Sequence, residues 1–310
     1  MLDFTHLPKS QLIPRFDVFY AAQSAGTTTD SWQTWSKPRG VSFVYGLILG
    51  AGGGGGRPTA GANPGAGGGA SGGIGTFLCQ ASLLPDTLYI RPGIGGAGGA
   101  TDGANGSSGD TSYIVTSPVN NPSTAFEAVL VTAQGSGGGN QSTTGGVNTG
   151  TTPVFSNQLQ FAITNALVGV NGSPGGNATS NGSSATWGAS GIGPTCHGGG
   201  GGGGNAVTTG GGITITGGAG VGPFATIASA QGAGATGYGY NRRLDQLGPR
   251  GNSFFAFTGG KAGGGSNVAN GGSGGHAAYA CGGGAGGGSL SGTTGNVGNG
   301  GDALIILLAW

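Results

Sequence analysis

The chain has 310 residues, 80 of them glycine and 14 proline, and a formal net charge of +1. Glycine and proline at this level resemble low-complexity disorder. However, charged residues are only 6% and apolar residues 35%, the reverse of the balance that keeps a chain unfolded. Glycine does not recur at every third position, which argues against collagen, and no basic stripe supports nucleic-acid binding through phosphate contacts.

Residues 1 to 30 hold one glycine, Gly26, and Pro8 and Pro14 oppose a long helix there. They read as an extended N-terminal arm whose apolar residues Leu12, Ile13, Phe16, Phe19 and Tyr20 dock on a partner or a neighbouring subunit, with a short strand over 16–20. The segment has no continuous apolar run of the secretory type. In "VSFVYGLIL", Val41, Phe43, Tyr45, Leu47 and Leu49 alternate with Ser42, Val44, Gly46 and Ile48, the period of a half-buried strand, and Pro38 and Gly40 supply the turn before it. Further strands are expected at 87–93, 111–115, 126–135 and 301–310, with weaker patterns at 157–163, 212–217 and 252–257. No segment carries a helical period. The closing "ALIILLAW" is too short to span a bilayer.

Between the strands lie glycine-rich tracts at about 50–75, 93–110, 135–150, 169–212, 217–239 and 259–301. Compact domains rarely carry loops of that length without structure of their own. Glycine offers one: an extended helix of three residues per turn, without internal hydrogen bonds, whose N–H and C=O groups point outward. Without a Cβ, such helices can pack side by side and satisfy their backbone groups laterally. Pro58, which has no N–H, is expected to end the first at Arg57. Because the most apolar strands lie near the two ends of the tract-bearing region, they must pair across the domain, giving an all-β sandwich closed by its own termini.

The order W-x-x-P-x-G-V followed by a glycine block resembles the glycine-rich domain of bacteriophage virion proteins. It is also similar to the glycine-rich extracellular region of the anaplastic lymphoma kinase receptor family. The resemblance rests on Trp35, Pro38, Gly40 and Val41, the Gly50–Gly56 block, Leu88 to Gly99 and the closing Gly300–Trp310 segment. It implies a jelly-roll-like sandwich of the tumour-necrosis-factor type whose long insertions form a bundle of polyglycine-II-type helices. The receptors carry disulfides, a signal peptide and a membrane span, none of which is visible here, so the phage setting is the closer one. The resemblance then implies a non-enzymatic structural protein at the virion surface, assembled in the host cytoplasm. It would serve as a capsid decoration, head fibre or tail component, with other virion proteins as partners and a homotrimer as the favoured assembly. The alternative is a fibre-tip adhesin for a host glycan or outer-membrane protein.

Chemistry-bearing patterns are weak. Cys79, Cys196 and Cys281 form no C-x-x-C pair or disulfide framework, as expected of thiols in a reducing compartment. G-x-G-x-x-G matches are numerous by chance, and Lys261 lacks the flanking residues of a phosphate-binding loop. Cys196, His197, His276 and Cys281 could supply four zinc ligands but lack metal-site spacing. The nine carboxylates are scattered, and no catalytic grouping emerges; a depolymerase ranks last. Five N-x-S/T sequons, beginning at Asn105, carry little weight without a secretory signal. No cofactor, nucleic-acid partner or membrane insertion is expected. The island at 237–257 contains Tyr238, Tyr240, Arg242 and Arg243, residue types that favour interfaces, with Trp187 and His197 as further partner- or receptor-contact candidates.

Overall fold

A computed structural model describes residues 14–21, 32–60, 65–118, 129–142, 270–289 and 292–310, together with Gly263 and four two-residue strands. One antiparallel sheet has the order β1-β12-β3-β4, from Arg15–Tyr20, Leu304–Ala309, Phe43–Leu49 and Ile74–Gln80. The other has the order β2-β5-β6-β7, from Gln33–Ser36, Thr87–Arg91, Ser112–Val115 and Val129–Ala133. Two short pairs, β8 (Thr214–Ile215) with β11 (Gly265–Ser266) and β9 (Val221–Gly222) with β10 (Ala225–Thr226), stand apart. The fold is all-β, with no α-helix among the described residues.

The strand patterns explain the layers. On β3, Val44 and Ile48 turn inward and meet Phe77 and Cys79 of β4, Ile305 and Leu307 of β12, and Trp35, Leu88, Ile90, Ile114 and Val131 of the opposite sheet. Gly46 lies between them, and a Cβ there would fall closer than 3.0 Å to the Phe77 ring. Expected strands at 41–49, 87–93, 111–115, 126–135 and 301–310 appear as β3, β5, β6, β7 and β12. The weaker pattern at 212–217 coincides with β8, whereas those at 157–163 and 252–257 lie outside the described residues. The strand expected in the arm is β1, an edge strand whose six residues pair with β12 from Arg15↔Ala309 to Tyr20↔Leu304. The Trp35 indole bridges the sheets by donating to the Asp17 carboxylate at 2.8 Å.

Beyond the sandwich the glycine tracts run as eight segments, here rods 1 to 8: 50–57, 65–73, 93–99, 104–110, 134–140, 270–277, 281–289 and 292–303. Rod 1 shows their logic. The N–H groups of Gly50, Gly53 and Gly56 donate to rod 2; those of Ala51, Gly54 and Arg57 donate to rod 4; those of Gly52 and Gly55 donate to rod 8. Its carbonyls accept from the other side with the same period: Ala51 and Gly54 from rod 5, Gly52 and Gly55 from rod 3, Gly53 and Gly56 from rod 7. The six neighbours also bond to one another in the closed order 2-5-4-3-8-7, with rod 6 outside rods 7 and 8. The bonds of rod 1 thus recur with a period of three, and each of its N–H groups and each carbonyl from Ala51 to Gly56 has a lateral partner.

The lattice continues the sheets. Leu49↔Ile74 in the β3–β4 ladder is followed by Gly50 to Gly73, Gly53 to Ala70 and Gly56 to Gly67. Arg91↔Tyr113 between β5 and β6 is followed by the Ile94–Asp110 and Ala97–Ser107 bonds, and the β6–β7 and β12–β3 registers carry on likewise. Only Gly40 and Gly103 among the described glycines have a positive φ, 78° and 74°. Elsewhere glycine answers a demand for space: a Cβ on Gly52, Gly53, Gly54, Gly55 or Gly56 would lie closer than 3.0 Å to a neighbouring carbonyl oxygen. As expected, Arg57 is the last donor of rod 1 before Pro58. Its guanidinium pairs with Asp102 at 2.8 Å and donates to Thr294 at 3.0 Å and to the Ala100 carbonyl at 3.1 Å, clasping the outer end of the bundle.

Gly54→Ala forces a methyl group against the Ala97 carbonyl at the centre of the ring. It should cost at least about 3 kcal/mol, the upper range for overpacking, whereas Leu83→Ala, at a side chain 56% exposed, should change stability by less than about 0.5 kcal/mol. Thermal unfolding of the two variants measures the difference.

Candidate functional site

The outward face of the β1-β12-β3-β4 sheet is largely apolar, interrupted by Thr76 and Gln80 of β4, and the described residues cover only part of it. Near the bundle, Val18, Leu47, Leu49, Ile74, Leu304 and Ile306 pack under the turn between rods 6 and 7, formed by Ala277 to Cys281. That turn holds Ala280 at a φ of 60°, unusual for a residue with a Cβ. Towards the opposite end, pairing registers place Phe16, Leu308, Tyr45 and Leu78 in one row across the four strands. Trp310 follows beside Phe43, their ring centroids 6.0 Å apart. Phe16 is 56% exposed and Trp310 39%, and Leu308 and Tyr45 are half-buried. Exposed Leu83 lies in the short turn (Ala81–Leu83) after β4, at the same end.

This end is fastened to the rest of the fold by Lys37. Its ammonium donates to the Leu84 carbonyl at 2.6 Å and the Ala81 carbonyl at 3.1 Å, and pairs with Asp86 at 3.0 Å. An aromatic face of this kind, with no charged side chain in the Phe16 row, suits a partner with an apolar contact surface.

The docking residues named from sequence divide by strand alternation. Phe16 faces outward and is free to meet a partner, whereas Phe19 points inward and fills the sandwich core at 9% exposure. Tyr20 shares the outward face with Phe16 but lies near the bundle, 6.2 Å from the Tyr279 ring. Partial burial pushes its phenol pKa up. Leu12 and Ile13 lie outside the described residues, as do Trp187, His197, Tyr238, Tyr240, Arg242 and Arg243.

Two features were not anticipated from sequence. One is Trp310 as part of the open face. The other is a cation–π stack on the outer face of the second sheet, where the Arg91 guanidinium lies 4.6 Å from the Tyr113 ring centre and 5.2 Å from that of Trp32. The β5–β6 register sets Arg91 opposite Tyr113, and a registered Arg–Tyr pair could be found only once strand pairing was known.

Four of the described carboxylates are engaged within the fold. Asp17 takes Trp35 and Arg15, Asp86 takes Lys37, Asp102 takes Arg57 and Thr294, and buried Asp302 accepts from the Gly95 N–H at 2.8 Å. Among the described residues no three His, Cys, Asp or Glu side chains group as a metal site, and no helix is long and apolar enough to cross a membrane. Of the four zinc candidates, His276 accepts the Asn299 N–H at 3.0 Å and Cys281 is buried, while Cys196 and His197 lie outside the described residues. Neither the family models nor the curated proteins searched match this chain.

Phe16→Ser should shift stability by less than about 0.5 kcal/mol, as at other exposed positions, while Phe19→Ala should cost about 3 kcal/mol or more. Denaturant titration distinguishes them. Burial raises the Cys79 thiol above its ordinary pKa of 9.0. Its contribution to stability is therefore complete below the unfolded-state pKa and falls as pH rises beyond it. Thiol reagents should leave Cys79 unmodified in the native protein and label it on unfolding, as followed by mass spectrometry.

Proposed function

We propose that this protein is a non-enzymatic structural component of a phage virion, exposed at the particle surface as a capsid decoration, head fibre or tail component and attached through its N-terminal arm. In this reading the sandwich is of the jelly-roll type, its insertions are polyglycine-II-type helices, and copies associate as a homotrimer. The observation that carries the attachment is the placement of β1. The arm reaches the sheet at Pro14, where the first β1 pair is Arg15↔Ala309, at the end away from the rods and beside exposed Phe16 and Trp310. Partner-facing apolar residues and the glycine lattice therefore occupy opposite ends. An elongated anchor with a chemically distinct outer end fits that division.

The adhesin reading has its own support. The outer turns of the bundle expose polar residues including Thr101, Gln141 and Ser142, which offer hydrogen bonds to a glycan or protein.

Phe16→Asp and Trp310→Asp should leave the unfolding temperature near that of the parent but remove the protein from purified particles, as read by immunolabelling. Retention of both variants on the particle, or absence of the parent protein from it, would overturn the proposal. Adsorption of the purified protein to host cells with blocked infection would favour the adhesin reading instead.

A further inference from the structure

Asparagine followed by glycine is a chemically fragile pair. The glycine nitrogen loses its proton and attacks the asparagine Cγ, ammonia leaves, and the cyclic imide takes up water to give aspartate or isoaspartate. Glycine favours this reaction because no Cβ hinders closure of the ring. Two freedoms are required: the glycine N–H must be available to ionise, and the asparagine amide must be able to fold onto it.

Three such pairs lie among the described residues: Asn105-Gly106, Asn270-Gly271 and Asn299-Gly300. In each, the would-be nucleophile is committed to a carbonyl on another segment. Gly106 donates to Gly139, Gly271 to Thr293 and Gly300 to Gly96, all at 2.9 Å. In each, the asparagine Oδ1 is also held from another segment, accepting the main-chain N–H of Gln141 at 2.8 Å, of Thr293 at 3.0 Å and of Gly98 at 2.9 Å respectively. Solvent exclusion does not explain this pattern, because Asn105 and Asn270 are exposed.

We infer that the rod lattice protects its own Asn–Gly pairs from deamidation by holding both reacting groups of each pair in hydrogen bonds that ring closure must break. The same period of three that satisfies the backbone removes the glycine nitrogen as a nucleophile. The asparagine side chain occupies the remaining outward direction as an acceptor. Asn299 is the most firmly held, since its own N–H also donates to His276 Nδ1 at 3.0 Å. This protection is independent of what the particle-facing surfaces bind.

The test compares intact protein, the same chain in denaturant, and synthetic peptides spanning each pair, all kept in mildly alkaline buffer. Peptide mapping by mass spectrometry then counts aspartate and isoaspartate at each site. The native protein should deamidate at all three sites at least about tenfold more slowly than the peptides, because two hydrogen bonds oppose closure at each, while the denatured chain should match the peptides. Thr293→Pro deletes the donor to Asn270 but leaves the Thr293 carbonyl position in place. Proline suits an extended three-per-turn backbone, so Asn270 should speed up in this variant while Asn105 and Asn299 stay slow. Native rates equal to those of the peptides would overturn the inference, as would an unchanged Asn270 in the variant.

Discussion

Close lateral approach of backbones without Cβ atoms is the condition on which the rest of this structure depends. Two packed sheets normally stand about 10 Å apart because side chains fill the space between them. Here the side-chain layer ends near Gly50, Gly93 and Gly135, and backbones from opposite sheets close to hydrogen-bonding distance. Ala51 of rod 1, which continues β3, donates to Asp110 of rod 4, which leads into β6. Ser112 marks the seam: its hydroxyl donates to the Leu49 carbonyl at 2.5 Å and accepts the Gly93 N–H at 2.9 Å. A strand bonds in two directions within one plane, whereas rod 1 bonds in six, three through its N–H groups and three through its carbonyls. The transition therefore turns two ladders into one lattice without changing their registers.

The same condition sets the energetics of the bundle. Glycine loses more conformational freedom on folding than any other residue, and each lateral bond returns only about 1 kcal/mol net. One rod pairing with one neighbour does not offset that loss; rod 1 is held by six. The sandwich supplies the missing cooperativity. It fixes rods 1 and 2 at Leu49↔Ile74 and rods 3 and 4 at Arg91↔Tyr113, so each rod starts in register beside its partner. The Arg57–Asp102–Thr294 clasp then ties rods 1 and 8 to the turn between rods 3 and 4 at the outer end. Apolar burial in the sandwich thus organises a bundle that has almost no side chains with which to organise itself.

Much of this was legible in the sequence because the two architectures use different residues. The alternating run at 41–49, the apolar close at 301–310 and the stop at Arg57-Pro58 all corresponded to structural boundaries. β4 was not legible: Gly72, Gly73 and Gly75 blur its start, the expected tract at about 50–75 takes in its first two residues, and the rest of Ile74–Gln80 carried no strand expectation. β2 was missed for a different reason, since Gln33–Ser36 buries only Trp35 and leaves no alternation to detect. The division between Phe16 and Phe19 follows from strand alternation but needed the pairing of β1 with β12 to say which face was the core. The pairing registers that place Phe16, Leu308 and Tyr45 in one row, and Arg91 beside Tyr113, are relations between distant segments with no local signature.

The position of β1 also bears on how the fold would carry load. Its partner β12 pairs with β3, and β3 runs directly into rod 1, the rod at the centre of the ring. A pull on Pro14 directed away from the bundle acts along the β1–β12 ladder. That ladder's bonds lie across the pull, so they resist together instead of opening one by one from an end. Force then passes through the β12–β3 ladder into the rod with the most neighbours. Trp35 adds a second route by fixing Asp17 of β1 to the opposite sheet. An edge strand is ordinarily the least secure part of a sheet, but this one is tied to the central rod through a single intervening strand, and that connection suits it to hold a tethered molecule.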